Sequence, residues 1–292
     1  MYYAAKKELQ EMLYRYILLT ADQVADLLHY RKKTVYSMAS ELKREGKVQS
    51  VILPFLRKNH IGYALTRDGA KEAARRIGDA ETFRSHGWKE APLQLEHFYG
   101  TNAFFISLIR HSLTEPGEGL LEWLGAREAA ERYVQTQTSG RQSRPVKPDG
   151  MGAYLLPGRG RLVFHLEYDT GSESTWRLKE KMWNYGRLLP TLWPKVEAVH
   201  VLFVTKIASR PGPLIDIWQA LCSGSLSGMR LPNIWVIHEK EWMAKGVETA
   251  LWWGRDGQRI RWKDMPLLSP PVDPNLLILG KQPREPSPMQ GR

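Results

Sequence analysis

Cysteine is nearly absent from the chain: Cys222 is the single one among 292 residues. One cysteine excludes an intramolecular disulfide and any zinc site built from a cysteine cluster. No apolar run approaches the roughly eighteen residues of a transmembrane helix, so none is expected. The first residues, Met1-Tyr2-Tyr3-Ala4-Ala5-Lys6-Lys7, lack the apolar core of a signal peptide. These absences predict a cytoplasmic protein with no membrane partner. Acidic residues are in deficit: 31 Asp and Glu face 42 Lys and Arg, giving a net charge of +11 and a pI of about 9.6. Such a balance points to a polyanion. No basic amphipathic membrane helix stands out, so nucleic acid is the expected partner. Hydrophobic residues make up 42%, enough to build cores, and the length suits one large or two modest domains.

Helical periodicity opens the chain. Leu9, Met12, Leu13, Tyr16 and Ile17 space a first helix over 8–18. Thr20 and Gln23 form a capping box for a second over 21–28. Thr34 is expected to cap a third over 35–45, with Val35, Met38 and Leu42 inward and Gly46 ending it. Two apolar strands follow, 47–53 and 62–66, then a helix over 68–77. This order resembles a winged helix–turn–helix domain, and Tyr63-Ala64-Leu65-Thr66-Arg67-Asp68-Gly69-Ala70 looks like its wing exit. The resemblance implies that the third helix enters a DNA groove. Arg31, Lys32, Lys33, Lys43 and Arg44 would then contact phosphates, with Ser37 and Ser40 near the bases. Arg57 and Lys58 sit at the wing tip.

The chemistry-bearing stretch is 148–185. Asp149 opens a predicted strand over 151–156, and Glu167 closes another over 161–168. Pro157-Gly158-Arg159-Gly160 turns between them, so the two should pair as a hairpin. Such a hairpin brings an acid at the start of one strand beside an acid at the end of the next. Asp169 shares the face of Glu167 and His165 if the strand persists that far. Asp149, Glu167 and Asp169 are therefore candidate ligands of a hard cation, Mg2+ or Mn2+. A helix over 174–189 follows, with an apolar stripe at Leu178, Met182, Tyr185, Leu188 and Leu189. Lys181 lies within that stripe and Lys179 outside it. An inward lysine is costly without an acidic partner, so Lys181 is preferred for the site. Tyr185 is one turn further on the same face. His97 reads as a structural or DNA-contacting residue. Trp176, Trp183, Trp193 and Trp218 read as packing residues.

A helix from Pro92, strands at 120–124, 151–156 and 161–168, the 174–189 helix and a strand over 198–204 give an αβββαβ order. With the N-terminal helices the fold class is α/β (α+β). The order resembles the PD-(D/E)XK, restriction-endonuclease-like core, with Pro148-Asp149 and Glu167 as its acids. Asp169 stands where that pattern usually has lysine, which leaves the lysine to the following helix. The series of winged helix, His97 and Asn102 on one helix, Pro-Asp-Gly, Glu-x-Asp and Lys-x-x-x-Tyr resembles the replication-relaxation proteins of Gram-positive plasmids and conjugative elements. The expected domains are 1–80 (winged helix–turn–helix), 81–91 (linker), 92–266 (nuclease-like) and 267–292, a Pro-rich tail.

The resemblance implies a DNA-nicking or relaxing enzyme in plasmid replication or conjugative mobilisation. Its catalytic residues would be Asp149, Glu167, Asp169, Lys181 and Tyr185. Its partner is double-stranded DNA at a plasmid or mobile-element origin, with a homodimer and replication or mobilisation proteins as further candidates. A covalent mechanism would need a tyrosine nucleophile, Tyr185 or Tyr168. The alternatives are a non-catalytic DNA-binding regulator with a degenerate nuclease fold, or an adaptor.

Overall fold

The computed structural model describes residues 2–56, 60–81, 83, 94–115, 117–134 and 146–268. The expected wing-tip contacts Arg57 and Lys58, most of the 81–91 linker, residues 135–145 and the Pro-rich tail beyond Leu268 lie outside these residues.

Among the described residues the N-terminal part runs α1 (Tyr2–Tyr16), β1 (Leu19–Thr20), α2 (Ala21–Leu28), α3 (Lys32–Arg44), β2 (Val48–Leu53), β3 (His60–Leu65) and α4 (Arg67–Arg76). The three strands form an antiparallel sheet in the order β1-β3-β2. Thr20 closes the expected capping box with Gln23, which satisfies two backbone N–H groups that the helix leaves open. Thr34 does not cap α3. The helix starts three residues earlier, because Arg31 is extended and its carbonyl already accepts from the N–H groups of Thr34 and Val35. At the other end Gly46, at φ +69°, donates to Lys43 O while Lys47 donates to Leu42 O. That Schellman pair needs a left-handed residue, which glycine adopts at little cost.

The second part is built on a seven-stranded sheet. Its elements are α5 (Leu95–Ser112), β4 (Gly119–Gly125), α6 (Ala126–Val134), β5 (Gly150–Leu156), β6 (Gly160–Asp169), α7 (Thr175–Leu192), β7 (Val199–Thr205), α8 (Pro211–Ser223), β8 (Asn233–His238), α9 (Glu239–Lys245), β9 (Leu251–Trp253) and β10 (Arg259–Arg261). The sheet order is β10-β9-β8-β7-β6-β5-β4. Strands β4, β5 and β6 are antiparallel, whereas β6, β7 and β8 run parallel. The parallel joins require crossovers, which α7 and α8 supply. The fold is therefore mixed α/β of the α+β kind, and α5-β4-β5-β6-α7-β7 keeps the expected order, with the short α6 between β4 and β5.

Strand β6 is buried on both faces along nearly its whole length. Alternation then sorts its side chains. Val163, with Val199, Val201 and Phe203 of β7, packs under α7 and α8 against Leu178, Met182, Leu189 and Trp218. Leu162, Phe164, Leu166 and Tyr168 face the opposite way, into a core with Phe104 and Phe105 of α5. The same core takes in Leu9, Leu13, Tyr14 and Tyr16 of α1, so the N-terminal helices and the sheet share apolar packing. Tyr16 stacks on Trp123 of β4 with ring centroids 3.7 Å apart. Asn102 donates to both Tyr16 O and Leu18 O, which bracket Ile17 at φ +69°. The buried amide satisfies two carbonyls exposed by that left-handed turn.

Candidate active site and nucleic-acid interface

The hairpin register assembles the site. Gly150 pairs with Leu166, and Asp149 N–H donates to Leu166 O at 3.0 Å. One step further along that register, Asp149 stands across from Glu167. Asp149 Oδ2 accepts the Tyr168 N–H at 2.7 Å, and its Oδ1 lies 3.0 Å from His97 Nε2. The other nitrogen of His97 is 2.9 Å from Tyr168 O. A carbonyl only accepts, so Nδ1 carries a proton, and a carboxylate is best served by a second one on Nε2. Burial opposes that imidazolium, but Asp149, Glu167 and the Tyr168 carbonyl together raise its pKa above the ordinary value. Burial also works against the Asp149 anion, and His97, Lys181 and the Tyr168 N–H outweigh it, so its pKa falls.

Glu167 is 2% exposed. Its Oε2 accepts from Lys181 Nζ at 2.8 Å and its Oε1 from the Tyr185 hydroxyl at 2.5 Å. Burial drives its pKa up to about 7, with Asp149 adding to the rise and Lys181 and Tyr185 holding it back. Lys181 has a second partner, Glu173 Oε2, at 2.9 Å. Burial disfavours its charge, yet Glu167, Asp149 and Glu173 keep its pKa above that of a free lysine. The stripe argument thus selects the lysine that reaches the acids. Tyr185 is 1% exposed, and burial followed by Glu167 raises the pKa of its phenol well above the ordinary value.

Asp169, expected as a further ligand or an orienting carboxylate, is engaged elsewhere. Its oxygens take Arg210 Nη1 at 2.6 and 2.7 Å, the Thr205 hydroxyl at 2.8 Å and the Gly171 N–H at 2.9 Å. Arg210 also donates to Gly171 O and Glu173 O, so this guanidinium pins the loop between β6 and α7. The structure does not add Asp169 to the Asp149–Glu167 pair, and among the described residues no group of three or more His, Cys, Asp or Glu is placed to hold a metal ion. Arg210 had no sequence signal: it lies 41 residues from Asp169.

His165 faces α7 but does not join the acids. Its ring meets the Tyr133 hydroxyl and His200 O, and burial lowers its pKa to about 4. Tyr168 donates its hydroxyl to Glu239 and is 3% exposed.

A cleft of about 240 Å³ opens on the site, lined by Lys147, Glu167, Glu173, Arg177, Lys181 and Tyr185 among others. In the N-terminal part, α3 and its cap residue present Arg31, Lys32, Lys33, Ser37, Ser40, Lys43 and Arg44 to solvent. Lys32 pairs with Asp22, Ser37 donates to Lys33 O, and Lys43 reaches Ser50 of β2. Tyr36 on the same helix is 54% exposed. Cross-strand partners Ile52 and Ile61, on the adjoining hairpin, are 63% and 50% exposed. Sequence reading missed all three, because an exposed apolar residue is not distinguished from a buried one by type.

The sequence model of the replication-relaxation family matches residues 11–198. The chain belongs to this family. The match runs from α1 to the start of the 199–205 strand, and so covers the N-terminal helices, the hairpin, Asp149, Glu167 and Lys181. Membership places the protein in plasmid replication or relaxation, with DNA as its partner. Neither a curated protein nor a solved structure matches the chain significantly. No helix among the described residues is long and apolar enough to cross a membrane.

Proposed function

We propose that the protein nicks and thereby relaxes DNA, cutting a phosphodiester at the Asp149–Glu167–Lys181 site, and that residues of α3 engage the duplex in the manner of a winged helix. The observation that carries this reading is Lys181: a helix delivers an ammonium to a buried carboxylate pair at the end of a hairpin, 2.8 Å from Glu167. The αβββαβ order around it supports a restriction-endonuclease-like core.

The donor set suits a hard divalent cation. Mg2+ is commonly held by one or two carboxylates, with substrate phosphate oxygens and water completing its shell. Asp149 and Glu167 are two such carboxylates, each with lone pairs beyond those already used. Burial beside Asp149 leaves Glu167 short of positive charge, as its raised pKa records. These two residues would hold Mg2+ or Mn2+, which supplies Lewis acidity and a lowered water pKa when bound. His97 keeps Asp149 ionised and oriented. Tyr185 fixes Glu167 from the other side. Lys181 can exchange a carboxylate for a phosphate oxygen and so stabilise the charge that builds on it. Burial and the bond to Glu167 favour this positioning role for Tyr185 over that of a covalent nucleophile.

A second reading has its own support. All four oxygens of Asp149 and Glu167 already have protein partners, as befits a non-catalytic DNA-binding regulator. A supercoiled-plasmid assay with Mg2+ or Mn2+ separates the two. Open circles formed by the wild type, and lost in Asp149→Ala and Lys181→Ala, support the nicking enzyme. Absence of metal-dependent conversion on the plasmid or element that encodes the protein favours the regulator.

A further inference from the structure

We propose that Trp176 is a stacking platform for an unpaired base, so that the cleft beside it receives a locally single-stranded segment of DNA. The inference rests on the nicking reading and names the form of its substrate. Trp176 is 63% exposed, in contrast to the packing role its residue type suggests. The inward stripe of α7 is complete without it, in Leu178, Met182, Tyr185 and Leu189. Its position is specific. Arg177, the next residue, and Glu180, one turn on, both line the cleft that ends at Glu167, Lys181 and Tyr185. The indole therefore stands on the flank of the cleft wall.

The cleft contributes the second half of the argument. Lys147, Arg177 and Lys181 bring three cations to a space of about 240 Å³, beside the carboxylates Glu167, Glu173 and Glu180. Lys181 pairs with the first two, so Lys147 and Arg177 are the cations offered to a backbone phosphate. Trp176, the neighbour of Arg177 along the helix, is an exposed aromatic beside the residues that line the cleft and can meet a base of a strand whose phosphate enters it. Bases within a duplex have both faces covered by neighbours, so only an unpaired or extruded base offers a face to an indole. Cations that track the backbone beside an aromatic that takes a base are the two components of single-strand binding. Trp176 thus adds a binding role and leaves the acids and Lys181 their chemistry.

The test uses the full-length protein and fluorescence anisotropy. The probes are one labelled oligonucleotide, single-stranded, and the same sequence as a blunt duplex. Trp176→Ala is expected to weaken single-strand binding about 5- to 100-fold, with Trp176→Phe retaining most of it. Duplex affinity should stay within twofold, since α3 lies elsewhere. Being exposed, Trp176 can be replaced without unfolding the chain. Single-strand binding unchanged in Trp176→Ala, or lost equally in Trp176→Phe, overturns the proposal. So does a wild type that binds no single strand, an equal loss on duplex, or a variant whose only change is reduced self-association in sedimentation. Because binding is read without cleavage, a failure of the nicking reading shows separately, as a wild type that leaves supercoiled plasmid intact.

Discussion

Lys181→Met isolates the electrostatics of the site. The substitution keeps the stem of the side chain and removes the ammonium that lies 2.8 Å from Glu167 and 2.9 Å from Glu173. Breaking a buried ion pair on one side costs about 3–5 kcal/mol where the remaining charge has no escape. Two features reduce that here. The Lys181 side chain is 32% exposed, so solvent screens part of the interaction. Glu167 also has a proton within reach, since its pKa is already about 7 in the wild type. We expect a loss of about 1–3 kcal/mol at pH 7.

The pH dependence is the sharper prediction. Glu167 has a folded pKa above its unfolded value, so the folded state binds the extra proton and stability falls as pH rises through 4.5–7. Removing Lys181 removes a cause that lowers this pKa, and the variant's value moves further up. Below pH 7 both proteins carry the proton, and their difference is constant. Above pH 7 the wild type has released it and the variant has not. The gap should widen by about 1.4 kcal/mol per pH unit until the variant's own pKa is reached. Urea unfolding at pH 5.5, 7 and 8.5 measures this, with Glu167→Gln as the partner in a double-mutant cycle. A gap independent of pH, or one that Glu167→Gln leaves unchanged, would refute the assigned pairing.

Other outcomes follow from the same coordinates. His200 is fully buried, with Trp235 Nε1–H donating to its Nδ1 and its own Nε2–H donating to Pro266 O; burial lowers its pKa to about 4. Its unfolded form takes up a proton first, so stability is lost as pH falls from about 6.5 toward 4, and His200→Gln should flatten that part of a urea-midpoint profile. Lys43→Ala should weaken duplex binding and reduce the slope of log affinity against log salt by about one, read from anisotropy titrations at several salt concentrations. Thr20→Ala opens the capping box of α2 and should cost about 1 kcal/mol in thermal or urea unfolding.

Segments with a clean period were legible in the sequence. The hairpin, its Pro157–Gly160 turn, the helix over 174–189, the strand after it and the choice of Lys181 over Lys179 all follow from local spacing. Thr34 misled because a capping residue type also sits comfortably inside a first turn, and the extended backbone of Arg31 is not encoded in any one side chain. Two-residue β1 is too short to carry an alternation. The fate of Asp169 was invisible for another reason: its partner Arg210 arrives from beyond α7 and β7, and only the parallel β6–β7 join brings them together. His97 was legible as a residue and not as a contact, since nothing along the chain says that α5 lies across the end of β6. Exposure was least legible of all, because Trp176 and Trp218 share a residue type and differ only in where the helix turns them.

The placement of α5 explains how one region can bear on the other. This single helix carries Asn102, which closes the turn after α1, and His97, which holds Asp149. Between them lies Gly100, directly under the Tyr168 ring: a Cβ there would come within 2.0 Å of it. Tyr168 in turn supplies the N–H that fixes Asp149 and the carbonyl that fixes His97. The helix is therefore pressed against the very residue whose backbone orients the acid, with no intervening side chain to absorb a shift. A displacement of α1 and α2 against the sheet would reach Asp149 through two hydrogen bonds and one ring. Close-packed interiors transmit such strain readily. If the N-terminal helices engage DNA as proposed, the geometry of the acid pair depends on how those helices are seated.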